Sequence, residues 1–203
     1  MITVEGVTKV YGGKTVLDDV SMEIPAGEVC CITGPNGAGK TLLLNIISGT
    51  VKQTKGKVIL PDDADIGYSY QVPRLCDDLS VAENIKFFKG MYGGKGNDPW
   101  TDKLVRNTKI DRWLDRYTGD LSYGTKKRLD IAVSLLHNPD IVLLDEPTAA
   151  LDLESREGVL NIIKFLKGKK TVLIASPEHE DFKGVYDHLI KLENGKKVED
   201  ARI

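Results

Sequence analysis

Residues 34–41 read GPNGAGKT, directly after the apolar run Val29–Thr33 and directly before a second apolar run at 42–47. The segment matches G-x-x-x-x-G-K-[ST], and a strand leading in with a helix leading out leaves few folds open to the chain. The glycines let the backbone curl until successive N–H groups face one point. A helix starting near Lys40 adds its positive end there. The loop therefore reads as a phosphate cradle made of Gly34, Pro35, Asn36, Gly37, Ala38, Gly39, Lys40, Thr41 and Leu42. Lys40 can reach β- and γ-phosphates, and the Thr41 hydroxyl can ligate Mg²⁺. The helix is expected to run through Leu43, Leu44, Ile46 and Ile47 and to stop at Gly49.

A second strand-like apolar run, Ile141–Leu144, is followed at once by Asp145, Glu146 and Pro147. A strand here, parallel to Val29–Thr33, delivers Asp145 beside the phosphate loop, where it can hold Mg²⁺ directly or through water. Glu146 then stands one residue further on, suited to take a proton from an attacking water. A third apolar run spans 171–175, and a helical stretch around 158–166 separates it from the second. Such runs suit a parallel sheet covered on both faces.

The remaining chain sorts around this core. Residues 16–20 and 21–24 alternate in short segments broken by Gly12-Gly13 and Pro25-Ala26-Gly27, which predicts a small antiparallel sheet. From 72 to 136 the pattern is mostly helical, with Leu79, Val81, Ile85, Phe87 and Phe88 as one apolar face and Gly93, Gly94, Gly96 and Pro99 marking a loop. The expected architecture is α/β: a core with a mainly parallel sheet, an N-terminal antiparallel subdomain and an inserted helical subdomain, all within one domain, 1–203. With 28 Lys+Arg against 30 Asp+Glu, no strong basic field invites a nucleic acid. No apolar run approaches the roughly 18 residues that span a bilayer, and the first ten residues lack the features of a secretory signal. Cys30, Cys31 and Cys76 lack metal-ligand spacing and read as small apolar residues in a reducing compartment. These features predict a cytoplasmic chain.

Lying between these two motifs, Leu121-Ser122-Tyr123-Gly124-Thr125-Lys126-Lys127-Arg128-Leu129 resembles the signature sequence of ABC-type ATPase cassettes. The resemblance covers essentially the whole chain and implies their P-loop NTPase fold, with ATP and Mg²⁺ bound. It implies adenine stacking on Tyr11, a Q-loop glutamine at Gln71 that helps hold the metal, and a D-loop at Ala150-Leu151-Asp152. It implies that Ser122 and Gly124 complete a site begun by the phosphate loop of an opposite cassette. Ser122 also reads as the cap of a helix beginning near Gly124, and Asp152 as the cap of one near Leu153. Lys126, Lys127 and Arg128 read as a solvated helix face. His137 and His188 read as structural.

Two positions depart from the family's pattern. Thr125 stands where the signature usually ends in glutamine, which is peripheral to the phosphate contact. Pro177 stands where the family has a histidine that contacts the γ-phosphate. Proline offers no side-chain donor, and Ser176-Pro177-Glu178 reads instead as a helix start. His179 reads as a first-turn residue of that helix, with a swing into the site as the lesser alternative. The expectation is slow turnover with nucleotide binding intact.

The resemblance implies a catalytic set of Glu146, Lys40 and Gln71, and a metal set of Thr41, Gln71 and Asp145. The expected function is the ATP-hydrolysing subunit of an ABC transporter, working as a homodimer or paired cassette. It would drive a separate transmembrane permease from the inner face of the cell membrane. Residues 79–84 resemble exporter-type cassettes more than metabolite importers. Leu75, Leu79, Phe87, Phe88 and Met91 stand where the permease would dock, with core packing as the alternative for most of them. Two other readings fit the same motifs: a soluble ABC ATPase of the iron–sulfur assembly type, and a weakly hydrolysing module that dimerises on ATP.

Overall fold

The computed structural model describes residues 1–94 and 98–203. Ile2–Tyr11 (β1) and Lys14–Ile24 (β2) pair antiparallel, from Ile2 against Ile24 to Tyr11 against Lys14. Val29–Thr33 (β3) is buried at every position and leads through the glycine-rich loop into Lys40–Ile47 (α1). Lys55–Ile59 (β4) returns to the free edge of β1, closing a three-stranded antiparallel sheet. The two short segments expected at 16–20 and 21–24 are one strand, β2. Register irregularities along β1 from Val4 to Val10 absorb the break in alternation, the first lying opposite Val20–Met22, and Asp19 adopts a φ of 53°.

The second sheet gathers the apolar runs. Its order is β5-β6-β7-β3-β8-β9, with β5 at Ile66–Ser69, β6 at Ile141–Asp145, β7 at Thr171–Ser176, β8 at His188–Glu193 and β9 at Lys196–Arg202. All neighbours run parallel except β8 and β9. Strands β3, β6 and β7 are buried along their whole length, because side chains on both faces meet a core. Cys30 packs with α1 and the antiparallel sheet on one face, and Cys31 packs on the other. The register sets Thr33 level with Ser176 and Asp145 level with Ala175, so the C-terminal ends of β3, β6 and β7 lie side by side.

Between β5 and β6 lie Val81–Met91 (α2), Pro99–Asn107 (α3) and Tyr123–Ser134 (α4), while Leu153–Leu166 (α5) joins β6 to β7. Residues 72–80 and 108–122, expected to be mostly helical, carry turns, two short 3₁₀ segments and an isolated antiparallel bridge between Ser80 and Tyr117. Asn84 of α2 explains why irregular backbone holds there. It is fully buried, and its amide donates to the carbonyl of Cys76 and the hydroxyl of Thr118 while accepting the Cys76 N–H. Pro99 starts α3 rather than marking a loop, with Asp98 as cap accepting from the Thr101 N–H. Gly93 and Gly94 follow the end of α2, and Gly96 lies outside the described residues. Of the expected apolar face, Val81 and Ile85 are buried and Leu79 and Phe88 are half-buried. Phe87 is exposed, because a helical step of about 100° per residue turns it away from Ile85.

Candidate functional site

The loop after β3 closes on its own lysine. Gly34 has a φ of 142°, and a Cβ there would lie 2.0 Å from the Leu192 carbonyl oxygen. At the N-terminus of α1, Gly39 has a φ of 101°, and a Cβ would lie 2.5 Å from a Leu17 methyl. Both positions require glycine. The loop so formed draws Lys40 inward: its side chain is buried, and Nζ donates to the carbonyls of Gly34 (2.8 Å) and Pro35 (3.1 Å). Burial lowers the pKa of the ammonium, against the opposing pull of Glu146 and Asp145.

Three more side chains meet the loop. The Thr41 hydroxyl donates to Asp145 Oδ1 at 2.9 Å, and Gln71 Nε2 donates to Glu146 Oε2 at 3.0 Å. Burial pushes the Asp145 carboxyl above the ordinary carboxylate range, opposed first by the Thr41 hydrogen bond and aided by neighbouring Glu146. Glu146 follows β6 in a left-handed conformation, φ 44°, pinned by its N–H to the Ala175 carbonyl at 2.8 Å. That strained residue turns its carboxylate towards Gln71. Thr41 and Asp145 present paired hard oxygen donors, the kind of set that a divalent cation such as Mg²⁺ takes. A cleft of about 490 Å³ joins these groups, lined by Tyr11, Gly37, Lys40, Thr41, Gln71 and Glu146 among others. The Tyr11 ring is half-exposed, with the Lys9 ammonium 4.6 Å from its centroid.

The start of α4 contributes no side chain to the lining of this cleft. Ser122 caps the helix, its Oγ accepting the Thr125 N–H at 3.3 Å. Gly124 lies against the start of α5, where a Cβ would sit 2.0 Å from Ser155 Oγ. Neither residue lines the cleft. Asp152 caps α5 through the Ser155 N–H at 2.8 Å.

The solvated face expected for Lys126, Lys127 and Arg128 is not what forms. Only Lys126 keeps partial exposure, paired with Asp77 at 2.8 Å. Lys127 is 1% exposed and donates to the carbonyls of Tyr70 and Gln71. Arg128 is buried across Gly158 and reaches Thr125 Oγ1 at 3.3 Å. Ten of the twelve residues of α4 are buried, so its cations must find acceptors inside the protein. Lys127, Tyr123 and Asp130 were missed by reading the sequence. The one available sign was an acidic residue, Asp130, inside an otherwise apolar stretch.

Pro177 follows the end of β7, and its carbonyl accepts the Thr33 hydroxyl at 3.2 Å. The expected helix start at Ser176 is instead a tight turn, with Ser176 Oγ accepting the Glu178 N–H at 3.2 Å. A single 3₁₀ turn, His179–Phe182, comes next. Fully buried Phe182 anchors it, and Asp181 is tied to Thr148 at 2.9 Å and Arg156 at 2.7 Å, so the segment has no room to extend as a helix. The His179 ring lies beside Glu180 (3.2 Å) and edge-on to Tyr186, outside the cleft. His137 approaches the Ile66 carbonyl at 3.2 Å and stacks on Tyr92, while His188 pairs with Asp200 at 2.6 Å.

The model of the ABC transporter family matches residues 17–149. An uncharacterized ABC transporter ATP-binding protein of Methanocaldococcus jannaschii is 35% identical over 209 residues, covering 100% of this chain and 78% of the relative. A lantibiotic transport ATP-binding protein of Streptococcus pyogenes is 35% identical over 206 residues, covering 98% and 89%. Among solved structures, a dimeric post-hydrolysis state of an ATP-binding cassette bound to ADP and Pi superposes with a TM-score of 0.86 at 27% identity, covering 100% of this chain and 98% of that one.

Proposed function

Because the chain belongs to the ABC transporter family and has the P-loop NTPase fold of its ATP-binding cassettes, we propose that it hydrolyses ATP in sites shared by two cassettes. Closing and opening of the pair would drive a separate membrane-spanning permease from the inner face of the cell membrane. In this reading residues 1–203 form one cassette, and no described helix is long and apolar enough to cross a membrane. One observation carries the proposal. A single cleft collects Lys40, Thr41, Gln71 and Glu146, while Ser122 and Gly124, at the start of a capped helix, lie outside it. Each chain therefore offers one phosphate loop and one helix end, and a two-fold pair completes two sites.

The chemistry follows from the groups in place. Lys40 leaves the carbonyls of Gly34 and Pro35 to meet β- and γ-phosphate oxygens, and the loop N–H groups take the rest. Tyr11 stacks on the adenine. Thr41, Asp145 and Gln71 would hold Mg²⁺, which when bound offsets charge on the β- and γ-phosphates. Glu146, freed from Gln71, accepts a proton from the attacking water. From the facing cassette, Ser122 and the first N–H groups of α4 bring a positive helix end to the γ-phosphate. Pro177 adds no donor at the end of β7, which makes turnover slow. That same residue favours the second reading, a module that pairs on ATP and barely hydrolyses it.

Complementation tests the shared site. Lys40→Ala spoils the loop and Ser122→Arg spoils the helix end, so each variant alone loses hydrolysis. Mixed, they form pairs with one intact site, and activity should return to roughly a quarter of the parent rate if mixing is statistical. A mixture as inactive as its components would refute the shared site. ATP-dependent pairing of the parent without hydrolysis would select the second reading.

A further inference from the structure

Residues 70–74, which carry Gln71, form neither strand nor helix, and α4 meets their backbone. Tyr123 Oη donates to the Gln71 carbonyl at 3.1 Å. Lys127 Nζ donates to the Tyr70 carbonyl and, at 3.3 Å, to that of Gln71. Asp130 accepts the Ser69 hydroxyl at 2.6 Å and the Arg74 N–H at 2.8 Å. Positions 123, 127 and 130 share one face of the helix. Within the segment, the Arg74 guanidinium lies 3.4 Å from the Tyr70 ring centroid, and Tyr70 stacks on Tyr68.

Lys127 and Asp130 are both buried, and burial lowers the pKa of the ammonium and raises that of the carboxyl. Replacing a whole buried set of charges by apolar residues is often neutral or stabilising, whereas removing one member leaves its partners unsatisfied. Stability alone therefore does not call for a charged set here. The Lys127 charge is aimed at the backbone of the segment whose Gln71 side chain touches Glu146.

We propose that Lys127, backed by Tyr123 and Asp130, is a positioning residue for hydrolysis: it clamps the Gln71 segment to α4 and so sets the contact of Gln71 with Glu146. The inference rests on the reading of Gln71 and Glu146 given under the proposed function. Since α4 also carries Ser122 and Gly124, the clamp links the helix end that faces the second cassette to the Gln71 of its own chain.

Lys127→Met keeps the aliphatic stem and removes the ammonium. The expected result is a kcat lowered roughly tenfold with the ATP Kd within about twofold of the parent. No further loss should follow when the change is added to Gln71→Ala. Amide exchange at 70–74 should quicken while that of β6 holds. Tyr123→Phe deletes one hydroxyl at an exposed residue and should show the same pattern at smaller size. An equal loss of kcat in the Gln71→Ala background would overturn the proposal, as would unchanged kcat and exchange in both variants. If the parent does not hydrolyse ATP, the proposed function fails and exchange alone decides the clamp. Faster exchange at 70–74 in both variants then upholds it, and unchanged exchange overturns it.

Discussion

Burial at the end of β6 pushes the Asp145 carboxyl above its ordinary range, so without nucleotide this group should cost stability at neutral pH. A carboxyl raised in this way lets the native state bind more protons, so stability falls as pH rises through the interval above the ordinary carboxylate range. Asp145→Asn keeps an acceptor for the Thr41 hydroxyl and deletes the buried charge. Thermal melts without nucleotide should show a higher Tm at neutral pH and a flatter pH profile, while hydrolysis drops roughly a hundredfold. A lower Tm would mean that the carboxylate stabilises the empty site. At Pro177 the expectation runs the other way: Pro177→His restores a donor, and kcat should rise by up to about a hundredfold, or about 3 kcal/mol. An unchanged rate would leave that position without a part in turnover. The glycines, Lys40, Thr41 and the Asp145-Glu146 pair were legible in the sequence because their chemistry depends on short spacing. The part proposed for Lys127 was not, since a buried lysine bonded to carbonyls 56 and 57 residues away looks like any other lysine on a helix.

Strands were easier to read than helices in this chain. The runs that became β3, β6 and β7 are apolar throughout, and only a sheet covered on both faces buries such runs completely. Helix α4 hides its surroundings, because buried Lys127, Arg128 and Asp130 imitate a polar face. The irregular stretches 72–80 and 108–122 were equally opaque, being held by long-range bonds of Asn84 that no local pattern announces. Contact between α4 and α5 makes a prediction at this scale. Gly124→Ala places a methyl on Ser155 Oγ and should destabilise the fold by about 1–3 kcal/mol in urea unfolding. Adding Ser155→Gly should return part of that loss; a double variant no better than Gly124→Ala would show that the strain lies elsewhere.

In the whole molecule, sheet order sets the ends of β3, β6 and β7 together and brings Gln71 across from the helical insertion. The resulting cleft lacks the start of α4. In the proposed function a second cassette completes the cleft, and the resemblance of residues 121–129 to the family signature suggested which surface does so. Pairing is a property of two surfaces, so no periodicity in a single sequence could have displayed it. The direct measurement is steady-state hydrolysis of Mg·ATP by the purified chain over a range of protein concentrations, beside Glu146→Gln. The account predicts a rate per chain that climbs with concentration as pairs form and that vanishes in Glu146→Gln. A rate per chain independent of concentration in a monomeric protein, or parental turnover in Glu146→Gln, would contradict it.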